Sequence, residues 1–221
     1  MVVLSPSPPL SSALVLACQE TSDNLQALLG TLPLEKPRHS ARVFRSSELS
    51  RYHKKIIWEI FESNMRDLYT QSSVFDWDPL SKKEELFNED SRFIVILDGS
   101  TLIAYTMFRF DREESWDVVY CYELQVAEAA QSRGIGNYLV TELCRIAHSS
   151  KMSRVMLTVL TANERATNFY LAQGFLPETS EEESENADDE DESDESDDNM
   201  CMDYQILHKP CLTPPPLLPT P

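Results

Sequence analysis

The chain has 221 residues, 42% of them hydrophobic and 9% aromatic, which suits one well-buried domain with extra segments and excludes a disordered or fibrous protein. No apolar run is long enough to span a bilayer, which excludes a membrane-embedded protein. The formal net charge of −18 is mostly local: fourteen acids and no Lys or Arg fall between Glu178 and Asp198, and without them 23 acids face 19 bases, so a basic nucleic-acid-binding surface has no support.

Residues 1–12 are rich in Ser and Pro and are expected to be disordered, without the basic first region of a secretory signal. Leu14, Leu16, Ala17, Leu25, Leu28 and Leu29 then suggest one modest helix from Ala13 to Leu29, broken at Gly30 and clasping the domain from outside. Ser50 can cap a stronger helix whose buried face is Ile57, Ile60, Phe61, Met65, Leu68 and Tyr69. After a loop around Trp77 and Pro79 and a helical turn near Glu84, the period changes. Arg92 to Leu97, the turn Asp98-Gly99, and Thr101 to Phe110 predict a hairpin.

A third strand, Asp117 to Val126, leads through Gln131-Ser132-Arg133-Gly134-Ile135-Gly136 into a helix with Ile135, Leu139, Leu143 and Ile146 on one face. Arg154 to Leu160 reads as a buried strand, Glu164 to Gln173 as a helix, Gly174-Phe175 as the opening of a short strand, and Met202 to Leu207 as a last one. Hairpins followed by a βαβα run predict an α/β (α+β) mixed sheet with helices on both faces. The domain is assigned to residues 13–209, with a disordered acidic insert at 178–198 and a disordered Pro-rich tail at 210–221. Cys18, Cys121, Cys144, Cys201 and Cys211 are scattered without a CxxC pair, and histidines are few. They predict free thiols in a reducing compartment, hence nucleus and cytoplasm, and no metal.

The segment QSRGIG fits the pattern Gln/Arg-x-x-Gly-x-Gly/Ala between a strand end and a helix N-terminus. Outward backbone N–H groups and the helix dipole can hold a pyrophosphate there, and Gly134 and Gly136 let the backbone come close. Two glycines before a helix are also ordinary turn chemistry. Glu123, in the strand before the loop, is a candidate general base or a charge on a solvated face. Tyr120 and Tyr122 are candidate peptide-binding aromatics or plain packing. In a regular strand the tyrosines face one way and Glu123 the other, so all three can serve one substrate only if a bulge or splay twists the strand.

With this loop, the following TVL strand and ANERATNFYLAQGF, the sequence resembles the GNAT acetyltransferases. The segments NM..LY (Asn64 to Tyr69), FRFD (Phe108 to Asp111), YCYE.Q (Tyr120 to Gln125), VMLTV (Val155 to Val159) and DYQIL (Asp203 to Leu207) resemble the N-alpha-acetyltransferase D family. The resemblance implies a GNAT acyl-CoA N-acyltransferase fold with an added N-terminal helix and acetyl-CoA as co-substrate. It further implies transfer to the free terminal amine of histones H-4 and H-2A, which begin Ser-Gly-Arg-Gly, by a monomer that needs neither membrane nor nucleic acid. It places Glu123 as general base with Tyr122 beside it in catalysis, and Tyr69, Trp77, Asp111, Tyr120, Tyr122 and Tyr204 around the peptide. Leu124, Gln125 and Val126, the loop Gln131, Ser132, Arg133, Gly134, Ile135 and Gly136, and Asn163 are placed on acetyl-CoA. Phe75 competes with Trp77 for one aromatic position. Tyr170 stands where many GNAT enzymes keep a tyrosine that protonates the departing thiolate, with helix packing as its other role.

An α-ammonium, with a pKa of about 7.7 to 8.0, loses its proton far more easily than a lysine near 10.4, so one carboxylate suffices as base. The remaining alternatives are a GNAT enzyme acting on lysine or a small amine, and a catalytically weak histone-binding protein. The acidic tract is expected to attract basic histone surface, or to serve only as a solvating spacer.

Overall fold

The structure is a computed structural model that describes residues 10–32, 39–178 and 203–211. The acidic insert, Glu178 apart, lies outside the described residues, as do 1–9 and 212–221. Two short helices, α1 (Ser12–Gln19) and α2 (Ser22–Leu28), stand where one was expected. Thr21 is extended at φ −81°, ψ 160°, and its hydroxyl accepts from Asn24 N–H, which ends one helix and caps the next. Ser11 caps α1 by accepting from Leu14 N–H, so the described chain is already helical within the stretch assigned to the disordered start. Leu14, Ala17 and Leu25 are buried in the main core, so these helices complete the domain rather than clasp it from outside. Arg45 and Arg92 each donate at 2.7 Å to carbonyls at the end of α1, those of Glu20 and Cys18, groups a helix terminus leaves unpaired.

A strand absent from the sequence reading, β1 (His39–Arg45), pairs antiparallel with β2 (Arg92–Asp98). Its HSARVFR buries only Val43, as an edge strand can, and so gives little hydrophobic alternation to read. The predicted hairpin is present: β2 turns at Gly99, φ +64°, into β3 (Thr101–Glu113), which pairs with β4 (Trp116–Val126). Then β5 (Arg154–Leu160) runs parallel to β4, and β7 (Tyr204–Pro210) inserts between β5 and the two-residue β6 (Leu176–Pro177). The order is β1-β2-β3-β4-β5-β7-β6, the mixed sheet the element order predicts. Pro210 ends β7 and Cys211 packs directly after it rather than starting a tail: Cys211 is buried and its N–H donates to Ser153 O.

Both faces of the sheet are covered. On one, Ile135, Leu139, Leu143 and Ile146 of α5 (Ile135–Ser149) pack with Phe108, Val119 and Leu157, joined by Tyr170 of α6 (Glu164–Ala172). On the other, Ile57 and Ile60 of α3 (Arg51–Gln71) and Leu86 of α4 (Pro79–Leu86) meet Phe93, Val95, Tyr105 and Met107. Ser50 caps α3 through His53 N–H as the sequence predicts, and Asp78 with Pro79 starts α4. Full burial of side chains such as Ile57 or Leu139 contributes about 1.5–3 kcal/mol each.

Candidate functional site

The β3–β4 ladder slips at one point: Met107 opposes Glu123, but Phe108 opposes Cys121, leaving Tyr122 as an extra residue. Strict alternation would have put Cys121 and Glu123 on one face. With the bulge, Cys121 stays in the α5-side core, while Glu123 follows its partner Met107 to the α3 side. Tyr120, opposite Arg109, and Tyr122 lie on that side as well. The bulge thus resolves the conflict in the alternation and brings Tyr120, Tyr122 and Glu123 to one face.

A second irregularity opens the sheet. The parallel ladder runs only from Val118↔Arg154 to Cys121↔Leu157, and beyond it β5 pairs with β7 alone. From Tyr122 to Val126, β4 therefore keeps no ladder on its β5 side, leaving backbone groups there for a ligand. Tyr120 OH and Thr158 Oγ1, 2.7 Å apart, bridge the fork where the strands part. A cleft of 1130 Å³ fills the opening, bordered by α3, α4, β4, β5, α6 and the loop before α5.

Glu123 is 6% exposed, so it is no charge on a solvated face. Its Oε1 lies 2.9 Å from Lys82 Nζ, and its Oε2 accepts from Gln125 Nε2 at 2.8 Å. Asn64 Nδ2 in turn donates to Gln125 Oε1 and to Val126 O, at 3.0 and 3.1 Å. Burial alone would lower the Lys82 pKa, but attraction to the Glu123 carboxylate, with Glu85 adding to it, outweighs this and raises the ammonium pKa above its usual value. The Tyr105 hydroxyl, fully buried, has no hydrogen-bond partner, and burial followed by repulsion from Glu123 holds its pKa well above that of free tyrosine. Burial likewise pushes the Cys121 thiol up to about 12, which makes it a poor nucleophile.

The loop beyond β4 leads directly into α5. Ser132 and Gly134 have positive φ, 60° and 80°, which turns the backbone into the start of α5, where the first N–H groups have no intrahelical partner. A Cβ on Gly136 would come within 3.1 Å of the Phe169 ring, so glycine allows α5 and α6 to approach. The Ile135 side chain is core, leaving its backbone as what it offers a ligand. Gln131 Nε2 donates to Val126 O, while Arg165 Nη1 donates to Gln131 Oε1. Arg133 turns back onto Ala129 O and does not border the cleft. Asn163 borders it, with its side chain also capping α6 through Ala166 N–H. The free N–H groups, the open β4 edge and the cleft together fit acetyl-CoA.

Of the expected peptide-side residues, Tyr69, Tyr120 and Tyr122 border the cleft. Trp77 does not: it stacks on Phe61 at 6.0 Å and meets Trp58 at 5.9 Å, behind the cleft wall. Phe75 takes the cleft position, between Tyr69 at 5.9 Å and Tyr204 at 5.6 Å; Tyr204 packs behind Phe75 and does not itself border the cleft. Asp111 stands behind Tyr122, its Oδ2 3.4 Å from the hydroxyl, while Arg109 lies 4.4 Å over the Tyr122 ring. Tyr170 both packs against Phe169 and Phe175 and borders the cleft.

The sequence reading missed Lys82, Gln125 as a buried link to Glu123, Arg165 and Asp203. Asp203 accepts from Ser73 N–H and Oγ–H at 2.5 and 2.6 Å, tying the start of β7 to the loop that carries Phe75. Lys82 sits in KKEE, which reads as a solvated helical face, and no local signal separates it from Lys83. Among the described residues, no group of His, Cys, Asp and Glu could hold a metal ion, and no helix is long and apolar enough to cross a membrane.

A family model described as the acetyltransferase (GNAT) family matches residues 55–175. The fold is similar to an acetyltransferase from Streptococcus agalactiae, at 16% identity and TM-score 0.54 over 79% of this chain and 99% of that one. PaiA N-acetyltransferase from Thermoplasma acidophilum, solved with coenzyme A, gives 16% and 0.52 over 77% and 99%. The ribosomal-protein-S18-alanine N-acetyltransferase of Escherichia coli gives 14% and 0.51 over 82% and 100%.

Proposed function

The chain belongs to the acetyltransferase (GNAT) family, and from that premise we propose that it acetylates the free α-amino terminus of a basic protein tail, histones H-4 and H-2A being the substrates its sequence resembles an enzyme for. Acetyl-CoA supplies the activated acetyl thioester. On this reading the N–H groups at the start of α5 hold the pyrophosphate, and the open edge of Tyr122 to Val126 orients the acyl arm. Glu123 takes the proton that the α-ammonium must lose. Tyr69, Tyr120 and Tyr122 flank the amine, with direct transfer favoured because Cys121 is buried and protonated.

The observation that carries a basic substrate is the crowding of acids at the end of β3. Burial, and then repulsion from Asp111 and Glu114, raise the Glu113 pKa, and of these three acids Glu113 borders the cleft. Asp76, Asp78 and Glu85 border the same cleft. The test is release of the coenzyme thiol in the presence of Ser-Gly-Arg-Gly-Lys-Gly peptides. A free amino terminus is expected to support release, and the same peptide blocked at its terminus is expected to give background. Equal rates would replace the terminal amine by the lysine side chain as substrate.

A further inference from the structure

The strongest unassigned feature is the seat of Lys82. Its ammonium is held by two carboxylate oxygens, Glu123 Oε1 at 2.9 Å and Glu85 Oε1, with Tyr69 beside it. The side chain is 12% exposed, with Phe61 and Tyr69 rings 5.3 and 5.6 Å from Nζ. A lysine drawn this far inward, onto the one buried carboxylate beside the tyrosines, bears on the reaction as well as on packing.

A carboxylate alone is an ambiguous partner for an incoming amine. It can accept the proton, but its charge also favours the ammonium, which cannot attack. We infer that Lys82 is a positioning residue for Glu123: it fixes one carboxylate oxygen and balances its charge, so that an amine bound there is released to its neutral form. The inference rests on the terminal-amine reading and deepens it. One proton passes from the α-ammonium to Glu123, the freed lone pair forms the new C–N bond, the C–S bond breaks, and the second proton of the acylated nitrogen goes to the departing thiolate, which leaves as the thiol.

The groups facing this pair leave the balance to few charges. Tyr69 from α3, Tyr105 from β3, Tyr122 on β4 and Tyr170 from α6 all have pKa values raised by burial, and the Cys121 thiol is pushed up to about 12. All are neutral near pH 7. Glu85 from α4 is the remaining acid on Lys82, and it is the more exposed partner at 40% of its side chain, against 5% for Glu123. Arg109 binds the Glu85 backbone carbonyl and stacks on Tyr122.

The experiment measures single-turnover acetylation of the free-terminus Ser-Gly-Arg-Gly-Lys-Gly peptide against pH, with saturating peptide and acetyl-CoA, so that the profile reports bound groups. In Lys82→Met the uncompensated carboxylate holds the amine protonated. The rising limb is expected about one pH unit higher, with the rate near pH 7 down about tenfold, because each pKa unit is a factor of ten in neutral amine. Lys82→Arg is expected to restore the limb. A Lys82→Met limb at the wild-type position overturns the inference. Should Lys82→Met show no acetyl-CoA-dependent rise in melting temperature, Glu85→Gln decides: its limb moves to lower pH if Lys82 acts through charge, and an unmoved limb overturns the idea. A wild-type chain inactive on this peptide, yet raised in melting temperature by acetyl-CoA, would overturn the terminal-amine reading itself.

Discussion

Glu123 and Lys82 face each other at 2.9 Å with 5% and 12% of their side chains exposed. Deleting either partner leaves the other charge buried, at a cost of about 3–5 kcal/mol, so truncation to Ala would confuse folding with chemistry. Glu123→Gln keeps shape and removes the proposed base. It is expected to lower kcat by about 10²–10⁴-fold while acetyl-CoA still raises the melting temperature. At the acidic end, Asp111→Asn combined with Glu113→Gln is expected to raise KM for the arginine-containing peptide about tenfold or more, the size of a lost charge-assisted hydrogen bond, with kcat little changed. Replacing the peptide's arginine with glutamine should abolish that difference. At this scale Glu123 and the two tyrosines were legible because YCYE stands just before the glycine loop. Lys82 was not, because its burial is set by Phe61 and Tyr69 of α3 and Glu123 of β4, distant in sequence, and leaves no mark in its neighbours.

At the scale of elements, the candidate site is built by two interruptions of regular structure. The bulge at Tyr122 turns Glu123 to the tyrosine side, and the fork after Cys121 frees the β4 edge. Alternation in the sequence exposed the conflict without locating the bulge, since residue types fix a face only when the register is known. The glycine turn into α5 was legible, but the place of Arg133, which turns back onto Ala129 O, was not. Gly134 has φ +80°, and a Cβ there would meet nothing within 4 Å, so its requirement is conformational rather than spatial. Gly134→Ala is expected to cost about 1–2 kcal/mol and to weaken acetyl-CoA binding, read as a lower melting temperature and a smaller ligand-induced rise. An unchanged melt in both respects would contradict the αL cap. The edge strand β1 was missed because it rests on a tertiary partner, β2, whereas the α1–α2 break had a local signal in the Thr21 cap that the apolar spacing overrode.

Over the whole molecule, a mixed sheet with helices on both faces follows from the order of hydrophobic periods, and the sheet order places the cleft where its parallel pair separates. Strand order was less legible, because β7 enters between β5 and β6 after a long acidic interval that its own MDYQIL pattern does not record. That interval carries charge the cleft shares in sign. Deleting residues 180–198 is expected to raise KM for whole histone at low salt and to have little effect at high salt, as screened long-range attraction requires. An equal KM at both salts would reduce the tract to a spacer. Transfer to a terminal amine through Glu123 is tested most directly by tandem mass spectrometry of intact histone H-4 after incubation with the chain and acetyl-CoA. One acetyl group is expected, on the α-nitrogen of the terminal serine, and none with Glu123→Gln. Acetyl groups found on lysine side chains with the terminus free would contradict that assignment.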